Sequence, residues 1–375
     1  MNVKRIVRIA LAATALIAVY WCLRLAWADY LFRTGNAERA AALVPFRASY
    51  QAALGNWRRA VELNPYYSEG WNRLAVQAET AGDFAEAERL LLRAAEIDQL
   101  FEPRWALANF YLRRNRKGEF VKWLGLAAER SYPDRSGLFR LAARMDHTPA
   151  QIAAEILPPV PAVLADYVAF LTKQGELEGA AAAAVRIARK AGAEERRILL
   201  ALADRLLASE KGALAHELWR ALYPDSSGLL TNADLASRPL NQGFDWRPHW
   251  RAGVHTVWSP GRFRIALSGN QPEIVDLLSQ YVYVGQPGVY RFHYRFRAEG
   301  LARESGVYWT AEGATPSRTR AYLSGGDRQD GILDFETTHP GQLVRLTLMY
   351  ARTSGTVRQE GVVWIEGGMR LSSSS

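Results

Sequence analysis

The feature that most restricts what this chain can fold into is a spacing. Trp71 and Trp105 stand 34 residues apart, and Pro65 and Pro133 stand 68 apart, twice that interval. A unit of this length cannot bury its own apolar face, so the period predicts stacked helical hairpins. The best-defined unit opens a helix at Trp71-Asn72-Arg73-Leu74-Ala75 and turns at Ala81-Gly82-Asp83-Phe84. It resumes with Ala87, Leu90, Leu91, Ala94 and Ile97 at helical spacing. Upstream, Ala53, Trp57, Ala60 and Pro65 fit the second half of a preceding unit; downstream, Trp105, Leu112, Val121, Ala128 and Pro133 fit a following one. The pattern then loosens. A helix over 150–157 is stopped by Pro158-Pro159, and the period returns through Leu164, Tyr167, Leu171, Ala180 and Ile187 before fading at Trp219 and Pro224. A solenoid of about ten helices over residues 30–224 is expected.

These residues resemble the tetratricopeptide repeat. Trp71 is the aromatic of the first helix, Ala75 takes its small position, Ala87 and Ala94 lie on the second helix, and a proline closes the unit; Ala78 stands where the family usually has Tyr. Small residues are needed where paired helices cross closely. The resemblance implies a concave groove that holds a protein partner, with Trp71, Trp105, Ala75, Ala87 and Ala94 as packing and groove residues. It implies no catalytic constellation. His147 and His216 have no second ligand at metal spacing and read as surface or packing residues.

At residues 223–228 the texture changes. Alanine-rich helical spacing stops, and period-2 runs follow at 263–267, 280–284, 290–296, 306–311, 342–350 and 362–366, separated by Gly, Pro, Asn and Ser turns. Regular short strands of this kind predict an antiparallel β-sandwich. The segment Asn241-Gln242-Gly243-Phe244-Asp245-Trp246, the run Arg264 to Asn270, the strand Gln280 to Val284 and Pro287-Gly288-Val289-Tyr290-Arg291-Phe292 together resemble a carbohydrate-binding-module jelly roll. The resemblance implies glycan binding by flat aromatic faces with polar groups around them. Trp246, Trp250, Trp258, Tyr281 and Tyr308 are the candidates; Trp309 and Trp364 sit on strands and read as core.

The N-terminus reads as an address. Lys4, Arg5 and Arg8 precede an apolar run over 9–23, followed by Arg24 with Trp21 and Trp27 on either side. Such a segment is either a retained single-pass anchor, which puts the bulk of the chain outside the cytoplasm, or a signal peptide cleaved after Ala26-Trp27-Ala28. The anchor is the favoured reading. The lone cysteine, Cys22, lies inside this run, so no intramolecular disulfide forms.

The fold class expected is multidomain, α then β: a transmembrane helix over 1–28, a TPR-like α-solenoid over 29–224, a linker over 225–240 and a β-sandwich over 241–375. The net charge of +9 is scattered rather than blocked: from Asp225 on there are 16 Arg, no Lys and 14 acids, against 31 basic and 24 acidic residues before it. Scattered charge at helical spacing describes a solvated face and gives no footprint for nucleic acid. No phosphate loop, nucleophile elbow or His-Glu-x-x-His motif is present. Asp245, Asp276, Glu304 and Asp334 are the candidate carboxylates for glycoside chemistry, and His249 and His255 the candidate metal ligands; none is expected to act, so no cofactor, metal or catalytic residue is assigned. The same order of parts occurs in bacterial envelope proteins linked to exopolysaccharide or O-antigen production. That resemblance implies a periplasm-facing scaffold with a protein partner and a polysaccharide.

Overall fold

The computed structural model describes residues 3–41, 47–132, 134–225, 228–301, 306–314 and 320–374. Helices occupy the first part of the chain and two antiparallel sheets the last, the α-then-β order expected from the sequence. The chain forms two compact units, Met1–His147 with Gln151–Val163, and Thr148–Ala150 with Leu164–Ser375.

The first unit is built of antiparallel hairpins: α1 (Val3–Ala41) with α2 (Arg47–Leu63), α3 (Ser68–Thr80) with α4 (Phe84–Ile97), and α5 (Phe101–Arg113) with α6 (Lys117–Glu129), followed by α7 (Ser136–Ala142). The small positions allow the close crossings: Ala53, Ala60, Ala75, Ala87 and Ala94 are all buried. Gly82 takes a positive φ of 85°, and the Asp83 carboxylate caps α4 by accepting from the Glu86 amide at 3.0 Å. Trp57 is the large fully buried ring of α2, and a Cβ on Gly35 of α1 would fall 2.6 Å from its indole nitrogen. Trp71 and Trp105 are only half-buried. Trp71 donates to the Pro65 carbonyl at 2.9 Å, and Trp105 stacks on Phe101 at 5.6 Å.

Helix α1 has two parts. Residues 6–39 are long and apolar enough to cross a membrane, and positions 6–23 are exposed throughout. From Arg24 on, the same unbroken helix becomes the first helix of the first hairpin, burying Ala28 and Phe32. Arg24 does not reach outward from the unit: its guanidinium donates to the carbonyls of Leu63 and Glu62 at 2.7 and 3.3 Å, satisfying the C-terminal end of α2. The irregular stretch after α7 is a single turn, α8 (Pro149–Gln151), that widens into a π turn, Ile152–Ile156, where the Leu157 amide bonds the Ile152 carbonyl before the prolines.

The second unit takes up α9 (Pro161–Gln174) from Leu164 on, and α10 (Leu177–Ile187), α11 (Ala193–Ala208) and α12 (Gly212–Leu222) follow before the sandwich. Its strands are β1 (Arg247–Pro248), β2 (Val254–Ser259), β3 (Arg262–Ser268), β4 (Ile274–Val284), β5 (Gly288–Glu299), β6 (Val307–Glu312), β7 (Arg320–Tyr322), β8 (Gly326–Thr337), β9 (Gln342–Ala351) and β10 (Glu360–Ser374). They form two five-stranded sheets, ordered β1-β4-β9-β6-β7 and β2-β3-β10-β5-β8. Four strands lie outside the runs expected from the sequence: β1 and β7 are two and three residues long, β2 is a short Val-His-Thr-Val-Trp-Ser stretch, and β8 opens on a charged, glycine-containing segment with little apolar alternation. The last strand, β10, pairs antiparallel beside β3. Between the sheets lies an aromatic core in which Trp309 meets Trp246, Phe292 and Tyr294 at 5.1–6.1 Å. Trp364, expected in this core, faces outward under Arg297, because Val363 and Ile365 take the inward phase of β10.

The last helical hairpin packs on the outer face of the first sheet. His216 of α12 stacks on Tyr283 at 4.6 Å, and Gly212 lies against Leu343 and Tyr283. Asp204 of α11 accepts from the Gly243 amide at 2.8 Å and from Arg247 at 2.6 Å, and Trp219 covers Gly243.

Candidate functional site

The outer face of the β1-β4-β9-β6-β7 sheet collects polar and aromatic side chains in rows set by the register. One row runs Arg247, Ser279, Thr347, Thr310 and Arg320 across all five strands; the next runs Tyr281, Arg345 and Glu312; a third runs Asp276, Met349, Tyr308 and Tyr322. Asp276 and Ser279 are three apart, so strict alternation would put them on opposite faces. A bulge at Leu277 inserts the extra residue and turns both outward.

Arg345 is the hub of this face. It donates to Asp276 at 2.9 Å, to Glu312 at 3.2 Å and to the Ser279 hydroxyl at 3.3 Å, and lies 3.4 Å from His249 Nε2. His249 Nε2 also lies 2.9 Å from Ser279 Oγ. Burial and the neighbouring Arg345 hold the His249 imidazole below its ordinary pKa, so at neutral pH its ring is uncharged. Rings complete the face: Arg247 and Arg345 lie over Tyr281 at 5.2 and 6.0 Å, and Arg320 lies over Tyr308 at 4.7 Å. The Thr347 hydroxyl is buried beneath these side chains and has no hydrogen-bond partner among the described residues. Two carboxylates, three guanidinia and hydroxyls beside tyrosine rings suit a neutral polyhydroxylated ligand: hydroxyls can both donate and accept, and sugar C–H faces pack on rings.

The structure separates the sequence-selected aromatics into three places. Tyr281 and Tyr308 both belong to this face, Tyr281 half-buried and Tyr308 buried under Tyr322 and Arg320. Trp246 is fully buried in the sandwich core and donates to the Asn232 carbonyl at 3.1 Å, so its ring has no face free for a ligand. Trp250 and Trp258 line a separate cavity of about 700 Å³ at the β2 edge, with Arg238, Leu240 and Thr256. Trp250 is 63% exposed there, Trp258 is tied to the Leu235 carbonyl at 3.0 Å, and the buried Thr256 hydroxyl is unpartnered among the described residues. Arg345, Ser279, Thr347 and Glu312 were not singled out from the sequence, and His249 was considered there only as a metal ligand. The signal was present in β9, where Arg345 and Thr347 hold the polar phase of an otherwise apolar strand.

Among the described residues, the candidate carboxylates for glycoside chemistry, Asp245, Asp276 and Asp334, do not gather. Asp245 is buried before β1, accepting from the Leu240 and Trp246 amides at 2.8 and 2.7 Å, and burial raises its pKa. Asp276 sits on the outer face of one sheet, and Asp334 is on the other sheet, paired with Arg291 at 2.8 Å. Glu304 lies outside the described residues.

In the first unit a groove of about 510 Å³ opens between α2, α3 and α4, lined among others by Leu54, Arg58, Trp71, Gln77, Ala78 and Arg89. Ala78 leaves room there that a tyrosine would fill. The buried Gln77 side chain presents an oxygen with no partner among the described residues. Of Trp71, Trp105, Ala75, Ala87 and Ala94, Trp71 lines this groove, as do Leu74, Ala78 and Leu90 of the same repeat; Ala75, Ala87 and Ala94 are packed inside, and Trp105 lies against Phe101.

The fold and these two surfaces define the class: a protein of helical hairpins followed by an antiparallel β-sandwich. No family model matches the chain, and no curated protein matches its sequence. Among solved structures, PilF of Pseudomonas aeruginosa aligns at 23% identity over 54% of this chain and 95% of its own, with a TM-score of 0.30. A MamA structure aligns at 14% identity over 53% and 91%, with a TM-score of 0.23. A family 29 carbohydrate-binding module complexed with mannohexaose aligns at 15% identity over 32% and 78%, with a TM-score of 0.21. Likenesses this distant assign no function.

Proposed function

We propose that this protein is a membrane-anchored, non-catalytic scaffold of the bacterial cell envelope, with the repeat region of 29–224 holding a protein partner and the sandwich of 241–375 holding a glycan. The observation that carries the reading is the outer sheet face, where Tyr281 and Arg345 stand side by side with Asp276, Glu312 and the unpartnered Thr347 hydroxyl. The α2–α4 groove with its unpartnered Gln77 oxygen supports a peptide or protein partner for the repeats. The apolar start of α1 supports a single-pass inner-membrane anchor, and Lys4, Arg5 and Arg8 support the periplasm as the side facing the bulk of the chain. Exopolysaccharide or O-antigen production is the setting in which such a scaffold would act.

The test is a glycan array with the full-length protein in detergent, followed by titration of any hit. Saturable binding that is lost in Tyr281→Ala, with an unchanged circular dichroism spectrum, supports the reading. If binding survives that change and is lost in Trp250→Ala, the β2-edge cavity is the sugar site. No binding to any envelope polysaccharide overturns the glycan half. A protein–protein assembly factor is the second reading, favoured by the burial of Trp246 and Tyr308, two rings that would otherwise serve a sugar.

A further inference from the structure

The turns that join successive hairpins of the first unit form one continuous edge. Arg24 of α1 holds the Leu63 carbonyl, just before the α2–α3 turn; the Ser68 hydroxyl at that turn donates to Asp98 at 3.2 Å, at the α4–α5 turn; and Phe101 there meets the ring of Tyr132 at 5.8 Å, at the α6–α7 turn. Each of the three turns exposes a large apolar or aromatic side chain: Tyr66 at 77%, Leu100 at 60% and Tyr132 at 62%. Exposed loop tips are commonly small and polar, so three large side chains at linked turns of one edge mark it as a contact surface.

The path of α1 identifies that partner. Its exposed apolar part leaves the unit from this same edge, with no linker, at Arg24. The 18 residues of 6–23 rise about 27 Å as a helix, which matches a hydrocarbon core of about 30 Å. The near interface of a spanned bilayer therefore falls at Leu23 and Arg24, level with the α2–α3 turn that follows Leu63. Tyr20, Trp21, Trp27 and Tyr30 are exposed on α1 around that level, where amphipathic rings are favoured.

We infer that this edge of the helical unit rests on the lipid surface, with Tyr66, Leu100 and Tyr132 dipping into the bilayer interface beside the anchor. The inference rests on the reading of α1 as a retained span. The edge carries both signs of charge, with Glu69, Glu102 and Asp134 among Arg73 and Arg130, so the contact is aromatic and apolar rather than electrostatic. It fixes the unit as a rigid extension of the anchor and leaves the opposite edge, with the exposed Lys117 at the α5–α6 turn, in solvent.

The experiment uses the full chain with Cys22→Ser as background, reconstituted in phosphatidylethanolamine–phosphatidylglycerol vesicles that carry doxyl-labelled lipid. An environment-sensitive fluorophore is placed singly through Tyr66→Cys, Leu100→Cys, Tyr132→Cys, Ile17→Cys and Lys117→Cys. The edge labels are expected to lose at least about threefold more fluorescence to the lipid quencher than the Lys117→Cys label, independently of salt. Quenching at Ile17→Cys with none at the three edge positions would overturn the edge contact and leave the anchor standing. Absence of quenching at Ile17→Cys as well would overturn the anchor, and the inference with it.

Discussion

Tyr281 and Arg345 stand directly opposite each other on β4 and β9, with the guanidinium 6.0 Å from the ring centroid and both side chains on the outer face of the sheet. That pairing makes a ring and a charge into one surface. The same guanidinium also holds Asp276 and Glu312 in place, so the two residues are expected to fail differently when changed.

Tyr281→Ala removes a ring and leaves the Arg345 network intact. In a glycan titration it is expected to weaken binding by roughly 30-fold, the loss typical of an aromatic anchor worth about 2 kcal/mol, with thermal stability almost unchanged.

Arg345→Met removes the shared donor and leaves Asp276 and Glu312 without it. Loss of binding should come with destabilisation of the second unit by about 1–3 kcal/mol, the range for stranding partly buried acceptors, measured by chemical denaturation. Retained stability with lost binding would mean that the carboxylates find water instead.

Gly243 cannot take a side chain. Its φ is +57°, and an added Cβ would fall 2.2 Å from the Trp219 ring. Gly243→Ala should therefore lower the stability of the second unit by about 1–3 kcal/mol, since neither the backbone nor the indole can yield freely. A shift in the Tm of the full-length protein in detergent checks it.

Two tryptophans of the first unit should separate cleanly. Trp57 is fully buried and Trp71 is half-exposed at the groove. Trp57→Ala is expected to cost about 3–5 kcal/mol, and Trp71→Ala far less, with its effect appearing in partner binding. Equal losses of stability would make Trp71 a packing residue alone.

The imidazoles predict an acid-side loss of stability. His249 and His216 are both held below the ordinary value of 6.5, in each case by burial first and then by a nearby arginine, Arg345 and Arg220 respectively. The unfolded chain then binds more protons than the folded one as pH falls past about 6.5, so stability present above that pH declines below it until the depressed folded values are passed. His249→Gln should flatten part of that slope in urea melts between pH 7 and pH 5. An unchanged slope in both His249→Gln and His216→Gln would contradict the assignment.

The helical half was largely legible in the sequence because its information is local. The 34-residue period, the alanines at 75, 87 and 94 and the Gly82-Asp83 turn each act within one hairpin, and a helix needs only its own neighbours to decide its faces. The apolar run at the start was equally plain. What the sequence left open there was the fate of Arg24, since a bond to the Leu63 carbonyl depends on a partner 39 residues away.

In the sandwich, the sequence by itself determined that strands and turns alternate and that aromatics are plentiful. It did not determine which rings face a ligand. Trp246 and Trp250 are four apart, yet one is sealed in the core and the other stands in solvent, because β1 between them is only two residues long and no strand alternation carries from one to the other. Asp276 joins Ser279 on one face only through the bulge at Leu277, and Arg345 reaches both only through the pairing of β4 with β9. Alternation fixes the phase within a strand. Register, bulges and the choice of neighbouring strand set the phase between strands, and those arise from packing two sheets around one core, so the make-up of the candidate face was decided by the tertiary structure.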